Sequence, residues 1–108
     1  MSGDSHPVGW FDTHLHAPAL PEEPGAFAAA ARAAGVTRLM AVGSDLADNA
    51  RARAFAAAVS DAWFSVGIHP HAAADWDGVM EPLAELAADP LWVAVGEVGL
   101  DYHYEFSP

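Results

Sequence analysis

Two histidines separated by one residue, in Asp12-Thr13-His14-Leu15-His16, are the first side chains of this sequence whose types and spacing suggest chemistry. Residues two apart in an extended strand project from the same face. His14 and His16 can therefore offer two imidazole nitrogens to one metal ion. The same spacing also arises when two histidines meet by chance on a surface loop, and the pentapeptide alone does not decide. Glu97 carries more weight. It lies between the apolar run Leu91 to Gly96 and Val98-Gly99-Leu100, where a carboxylate must be paired, protonated or metal-bound. A loop cap or an arginine partner is the competing explanation. With no cysteine in the chain, a metal would be held by histidine and carboxylate, a donor set suited to Zn, Mn, Mg or Fe. Two closely spaced ions are compatible with it.

His69-Pro70-His71 forms a second histidine pair. These rings are placed either to contact substrate or bound water, or to serve as hydrogen-bonded structural groups. Asp101 and Tyr102 follow the Gly99-Leu100 turn and can brace Glu97 from outside, although Asp101 also reads as an ordinary turn residue. His103, Tyr102 and Tyr104 belong either to the rim of a site or to open surface.

The elements that must position these groups follow from hydropathy and punctuation. Strands are expected at Val8 to Asp12, Val36 to Val42, Ala62 to Val66 and Leu91 to Val95, apolar without clean alternation, as in a parallel sheet buried on both faces. Helices are expected at Glu22 to Ala34 before Gly35, at Leu46 to Val59 after a Ser44 or Asp45 cap, and at Met80 to Ala88 before Asp89-Pro90. On the second helix, Leu46, Ala50, Arg53, Ala54, Ala57 and Ala58 share a face expected to pack. Trp10, Trp63 and Trp92 are expected in or beside the core, with Trp76 near the third helix. Arg32, Arg51 and Arg53 read as solvated charges.

The resulting order, βαβαβαβ, builds either a doubly wound sheet or a (β/α)8 barrel. A complete barrel takes roughly 250 residues, so four units are about half of one. His14 and His16, Gly43-Ser44, His69 and His71, and Glu97 each fall at the C-terminal end of a strand, the rim where α/β enzymes assemble their sites.

Composition sets the outer limits. The net charge is −11, and the four basic residues are all arginine, Arg32, Arg38, Arg51 and Arg53. Such a surface repels polyanions and excludes a binder that works by general phosphate neutralisation. A phosphodiester substrate would need local attraction, which bound cations can supply. No apolar run has the length of a membrane span, and the N-terminus lacks the basic and apolar regions of a signal peptide. The missing cysteines fit a cytoplasmic protein.

Asp12-Thr13-His14-Leu15-His16, Gly67-Ile68-His69-Pro70-His71 and Ala94-Val95-Gly96-Glu97-Val98-Gly99-Leu100-Asp101-Tyr102, in that order, resemble the successive signatures of the TatD family, metal-dependent hydrolases of the amidohydrolase superfamily described as deoxyribonucleases. The resemblance implies a TIM-type (β/α)8 barrel of which this chain is the N-terminal half. It implies that His14 and His16 bind one metal and that Glu97 lies between two metal positions, with Mg, Mn or Zn as the ions. The implied chemistry is phosphodiester hydrolysis by metal-activated water on a DNA substrate. The remaining ligands, and the general acid or base, would come from later strands. The expected organisation is a flexible segment at 1–7 and a half-barrel at 8–108, truncated after the fourth strand. Two alternatives stand beside it. One is a non-catalytic half-barrel whose exposed edge strands bind a partner or a second copy. The other is a hydrolase of a different ester or amide, such as aminoacyl-tRNA.

Overall fold

The computed structural model describes residues 8–17 and 22–104, so the expected flexible segment at 1–7 lies outside the described residues. Four parallel strands alternate with three α-helices: β1 (Trp10–Leu15), α1 (Pro24–Ala33), β2 (Val36–Ala41), α2 (Leu46–Ala58), β3 (Ala62–Val66), α3 (Met80–Ala87) and β4 (Trp92–Val95). A 3-10 segment, Pro70–Trp76, precedes α3. The sheet runs in sequence order, β1-β2-β3-β4, all neighbours parallel. This is the stepwise order of a half TIM-barrel, and a doubly wound sheet, whose order reverses at a switch point, is excluded.

Local chemistry explains the boundaries. Asp45 is the cap of α2, its side chain accepting the Asp48 N–H at 2.7 Å. The Glu23 carboxylate does the same for Gly25 and Ala26 at the start of α1. Gly35, at a φ of 94°, turns the chain out of α1 and into β2.

The core lies between the helices and one face of the sheet. It is built from Leu15, Leu39, Ala41, Phe64 and Val66 on the strands and Ala28, Ala52, Phe55, Ala56, Leu83 and Leu86 on the helices. On the opposite face Phe11 and Trp63 meet with ring centres 5.8 Å apart, and the Arg38 guanidinium lies 5.4 Å from the Phe11 ring centre. The expectation of strands buried on both faces holds best for the central β3. It fails for β1 and β4, which are sheet edges and largely exposed.

Two further expectations are corrected. Trp10 is 68% exposed, because it opens an edge strand instead of sitting inside the sheet. Trp63 and Trp92 are half-buried, whereas the Trp76 side chain lies outside the described residues. The buried face of α2 is Asp48, Asn49, Ala52, Phe55 and Ala56, while Leu46 is 40% exposed. Phe55 decides that rotation, since its ring meets Phe27 of α1 at 6.1 Å and outweighs several alanines. Arg32, Arg51 and Arg53 are exposed, as expected of solvated charges, and two of them also find partners. Arg32 donates to the Ser60 carbonyl at 2.7 Å, and Arg53 pairs with Asp89 at 2.8 Å.

Asp89 holds the α3–β4 turn by accepting from the Leu91 N–H as well. That backbone donor, with Arg53 beside it, keeps its carboxyl below the usual carboxylate range. A group depressed in the folded state stabilises fully above its unfolded value and loses that contribution as pH falls through the folded one. Thermal melts taken from about pH 5 down to about pH 2.5 should therefore show a steeper loss of melting temperature for the unmodified chain than for Asp89→Asn.

Candidate functional site

Strand β1 carries an irregularity where it matters. Asp12 pairs with Leu39 and Leu15 with Ala41, so Thr13 and His14 together stand opposite Met40. This is a β-bulge, a device that re-aims side chains beside sites. The Asp12 carboxylate supports it by accepting the His14 N–H at 3.0 Å. β1 runs through Leu15, so His14 lies within the strand and not just past it, as expected from the shorter strand, and His16 follows directly. Leu15 points into the core. Its two neighbours therefore face the other way, together.

Four side chains converge at this end of the sheet. His14 Nε2 and His16 Nε2 are 3.2 Å apart, and both approach Glu97 Oε2, at 3.3 Å and 3.9 Å. His69 Nε2 lies 3.3 Å from the other carboxylate oxygen, Oε1. The group lines an open cleft of about 400 Å³ with Ser44, Asp45, His71 and Ala72. Ligands each about 2.1 Å from one cation sit roughly 3.0–3.5 Å from one another. The His14–His16 and His14–Glu97 spacings, 3.2 Å and 3.3 Å, fall in that range, the His16–Glu97 spacing of 3.9 Å is wider, and the ligand atoms all lie within 4.8 Å of one another. Two imidazoles and a carboxylate on one point are a donor set that can hold a divalent ion.

The expectation for His69-Pro70-His71 divides. His69 reaches Glu97 and also caps the 3-10 segment, its Nδ1 accepting the His71 N–H at 2.9 Å. His71 Nε2 lies 3.4 Å from Asp101 Oδ2. Asp101 thus braces His71 and not Glu97. Its other oxygen accepts the His103 and Tyr104 N–H groups, and these two donors, with the His71 and His103 charges behind them, hold its carboxyl below the usual range. Tyr104 packs edge-on to His71 at 5.4 Å, at the rim, whereas Tyr102 is 92% exposed and belongs to open surface.

Glu97 is set by backbone contacts. The Ser65 hydroxyl donates to the Gly96 carbonyl at 2.8 Å, the Gly96 N–H donates to Val66 O at 2.9 Å, and the Glu97 N–H crosses to Gly43 O at 2.9 Å. Gly67 makes this approach possible, because a Cβ there would sit 2.6 Å from the Glu97 carbonyl oxygen. Reading the sequence for chemistry overlooked Asn49, which is fully buried on α2 and bonded to both backbone groups of Gly67. Its signal was an amide on the same helical face as Ala52, Phe55 and Ala56.

The sequence matches the signature of the TatD related DNase family over residues 11–108. The chain belongs to the TatD related DNase family. It is 44% identical over 80 residues to a 3'-5' ssDNA/RNA exonuclease TatD of Cronobacter turicensis, covering 73% of this chain and 30% of that protein. It is 40% identical over 75 residues to the Escherichia coli K12 protein of the same name, covering 68% of this chain and 29% of that one. The chain thus spans about 30% of the length of these TatD relatives.

The close approach of the strand ends gives a direct check. Gly67→Ala should cost about 1–3 kcal/mol in urea-denaturation stability, the usual penalty for forcing atoms into a packed site. A change below about 0.5 kcal/mol would show that the Gly96-Glu97 backbone yields freely.

Proposed function

We propose that this chain supplies the His14, His16 and Glu97 ligands of a metal-dependent phosphodiester hydrolase acting on the ends of single-stranded nucleic acid. The observation that carries the reading is the convergence of both imidazoles on one oxygen of Glu97. Support for the substrate class comes from the names of the TatD relatives. DNA is the substrate favoured, with other esters or amides the less supported choice.

Each side chain has a part in this reading. His14 and His16 present their Nε2 atoms from one strand end. His69 holds Glu97 Oε1 and so fixes the plane of the carboxylate. The bound divalent ions, one or two of Mg, Mn or Zn, would lower the pKa of water and offset developing negative charge on phosphate. That role fits the cleft's composition, since among the described residues no arginine lines it and the chain has no lysine. His71, oriented by Asp101, is placed to meet substrate at the rim. Among the described residues no helix is long and apolar enough to cross a membrane. The cysteine-free composition supports a cytoplasmic setting.

Titration with Co²⁺ or Mn²⁺ should show binding that falls by at least about 10-fold in Glu97→Ala. Cleavage of a 3′-labelled single-stranded oligonucleotide should stop on adding EDTA. Unchanged metal affinity in Glu97→Ala would remove Glu97 from the ligand set, and EDTA-resistant cleavage would overturn the reading.

The self-association alternative keeps one observation in its favour. Val93, Val95, Val98 and Leu100, on and beyond the β4 edge, are all at least half exposed. Light scattering of the purified chain separates the two cases: a dimer mass supports pairing along this edge, and a monomer at high concentration removes it.

A further inference from the structure

Asn49 is the largest polar side chain buried without remainder in the described structure, at 0% exposure. A buried amide is tolerated only when its hydrogen bonds are made. Here they are made to backbone alone. The side-chain Nδ2 donates to Asp45 O and to Gly67 O, both at 2.7 Å, and Oδ1 accepts the Gly67 N–H at 3.0 Å. The amide thus treats Gly67 as a neighbouring strand would, taking its N–H and its C=O at once. An alanine would suit the packing of α2 equally well, as Ala52 and Ala56 do on the same face. It would leave both Gly67 groups buried and unpaired.

What Asn49 holds is the platform under the cleft. Gly43, Ser44 and Asp45 present three successive carbonyls, which accept from the Glu97 N–H at 2.9 Å, the His69 N–H at 2.7 Å and the Asn49 amide. Gly67 lies two residues before His69 and directly beneath the Gly96-Glu97 backbone. Gly43 in turn packs against Asn49, with no room for a Cβ between them. A second tie reaches Glu97 from β3, through the Ser65 and Val66 contacts to Gly96, but the direct link from α2 to both Glu97 and His69 runs through Asn49, Gly67 and this loop.

We infer that Asn49 is a positioning residue for the Glu97–His69 pair: its amide clamps Gly67 to the Gly43–Asp45 loop and thereby sets the distance of Glu97 from His14 and His16. The inference rests on the reading of Glu97 as a metal ligand, and its test separates the two. Asn49→Ala is compared with Leu86→Ala, a core truncation on α3 that removes none of the hydrogen bonds of the clamp. Co²⁺ absorption titration reports ligand geometry, and amide hydrogen exchange at Gly67, His69 and Glu97 reports the clamp without any metal. Asn49→Ala should weaken Co²⁺ binding about 10-fold and speed exchange at these three amides by a similar factor. Leu86→Ala should lower the melting temperature while leaving both readouts as in the unmodified chain. Asn49→Ser, whose hydroxyl can satisfy one Gly67 group, should fall between, and it stands in if Asn49→Ala does not fold. Slow exchange at His69 and Glu97 in the Asn49 variants, or equal losses in Leu86→Ala, would overturn the inference. If the unmodified chain binds no Co²⁺, the metal reading fails and the exchange data alone decide the role of Asn49.

Discussion

Three consecutive carbonyls, those of Gly43, Ser44 and Asp45, are the constraint on which the rest of this structure depends. They belong to the loop leaving β2, yet they receive donors from beyond β3 and β4 and from α2. A parallel sheet stops pairing where its strands end, and the backbone groups just past that point must find partners elsewhere. Here they find them in one another. The consequence is that residues carried by three different βα units are held in fixed relation by peptide groups, before any side chain of the cleft is considered.

Glycine is what allows the backbones to come so close. Gly67 lies under Gly96-Glu97, and Gly43 lies against Asn49. Neither position needs a glycine for its torsion angles; each needs one for space. The acidic and imidazole side chains then project from this platform, and their convergence follows from where their backbones are tied. This division of labour explains how a chain with a net charge of −11 can place a carboxylate so near three histidines with no arginine among the described residues that line the cleft.

Much of this was legible in the sequence. The alternation of apolar runs with alanine-rich stretches gave the element order, and the rule that α/β sites gather at strand C-termini placed His14, His16, His69 and Glu97 on one rim. Other features were hidden for physical reasons. The rotation of α2 turns on the single ring of Phe55, which a pattern of alanines cannot reveal. Trp10 looked like core because its chemistry is apolar, but its exposure depends on β1 being an edge, a property of the assembled sheet. Asn49 was invisible because its partners are backbone groups 18 residues away. The choice of His71 over Glu97 as the partner of Asp101 likewise depends on the turn over 101–104, which spacing alone does not specify.

The bulge in β1 has a bearing on motion as well as on aim. Ahead of it, Trp10 to Asp12 form a lightly covered strand start. Behind it, Leu15 is buried and its carbonyl accepts the Val42 N–H at 2.9 Å. Local opening propagates along a ladder only while pairs remain in register. An extra residue interrupts that register, so fraying of the exposed start has no continuous ladder along which to reach Leu15 and His16. His14 thus sits at a mechanical break and His16 just beyond it, beside the buried Leu15, and the strand can be loose at one end and fixed at the other.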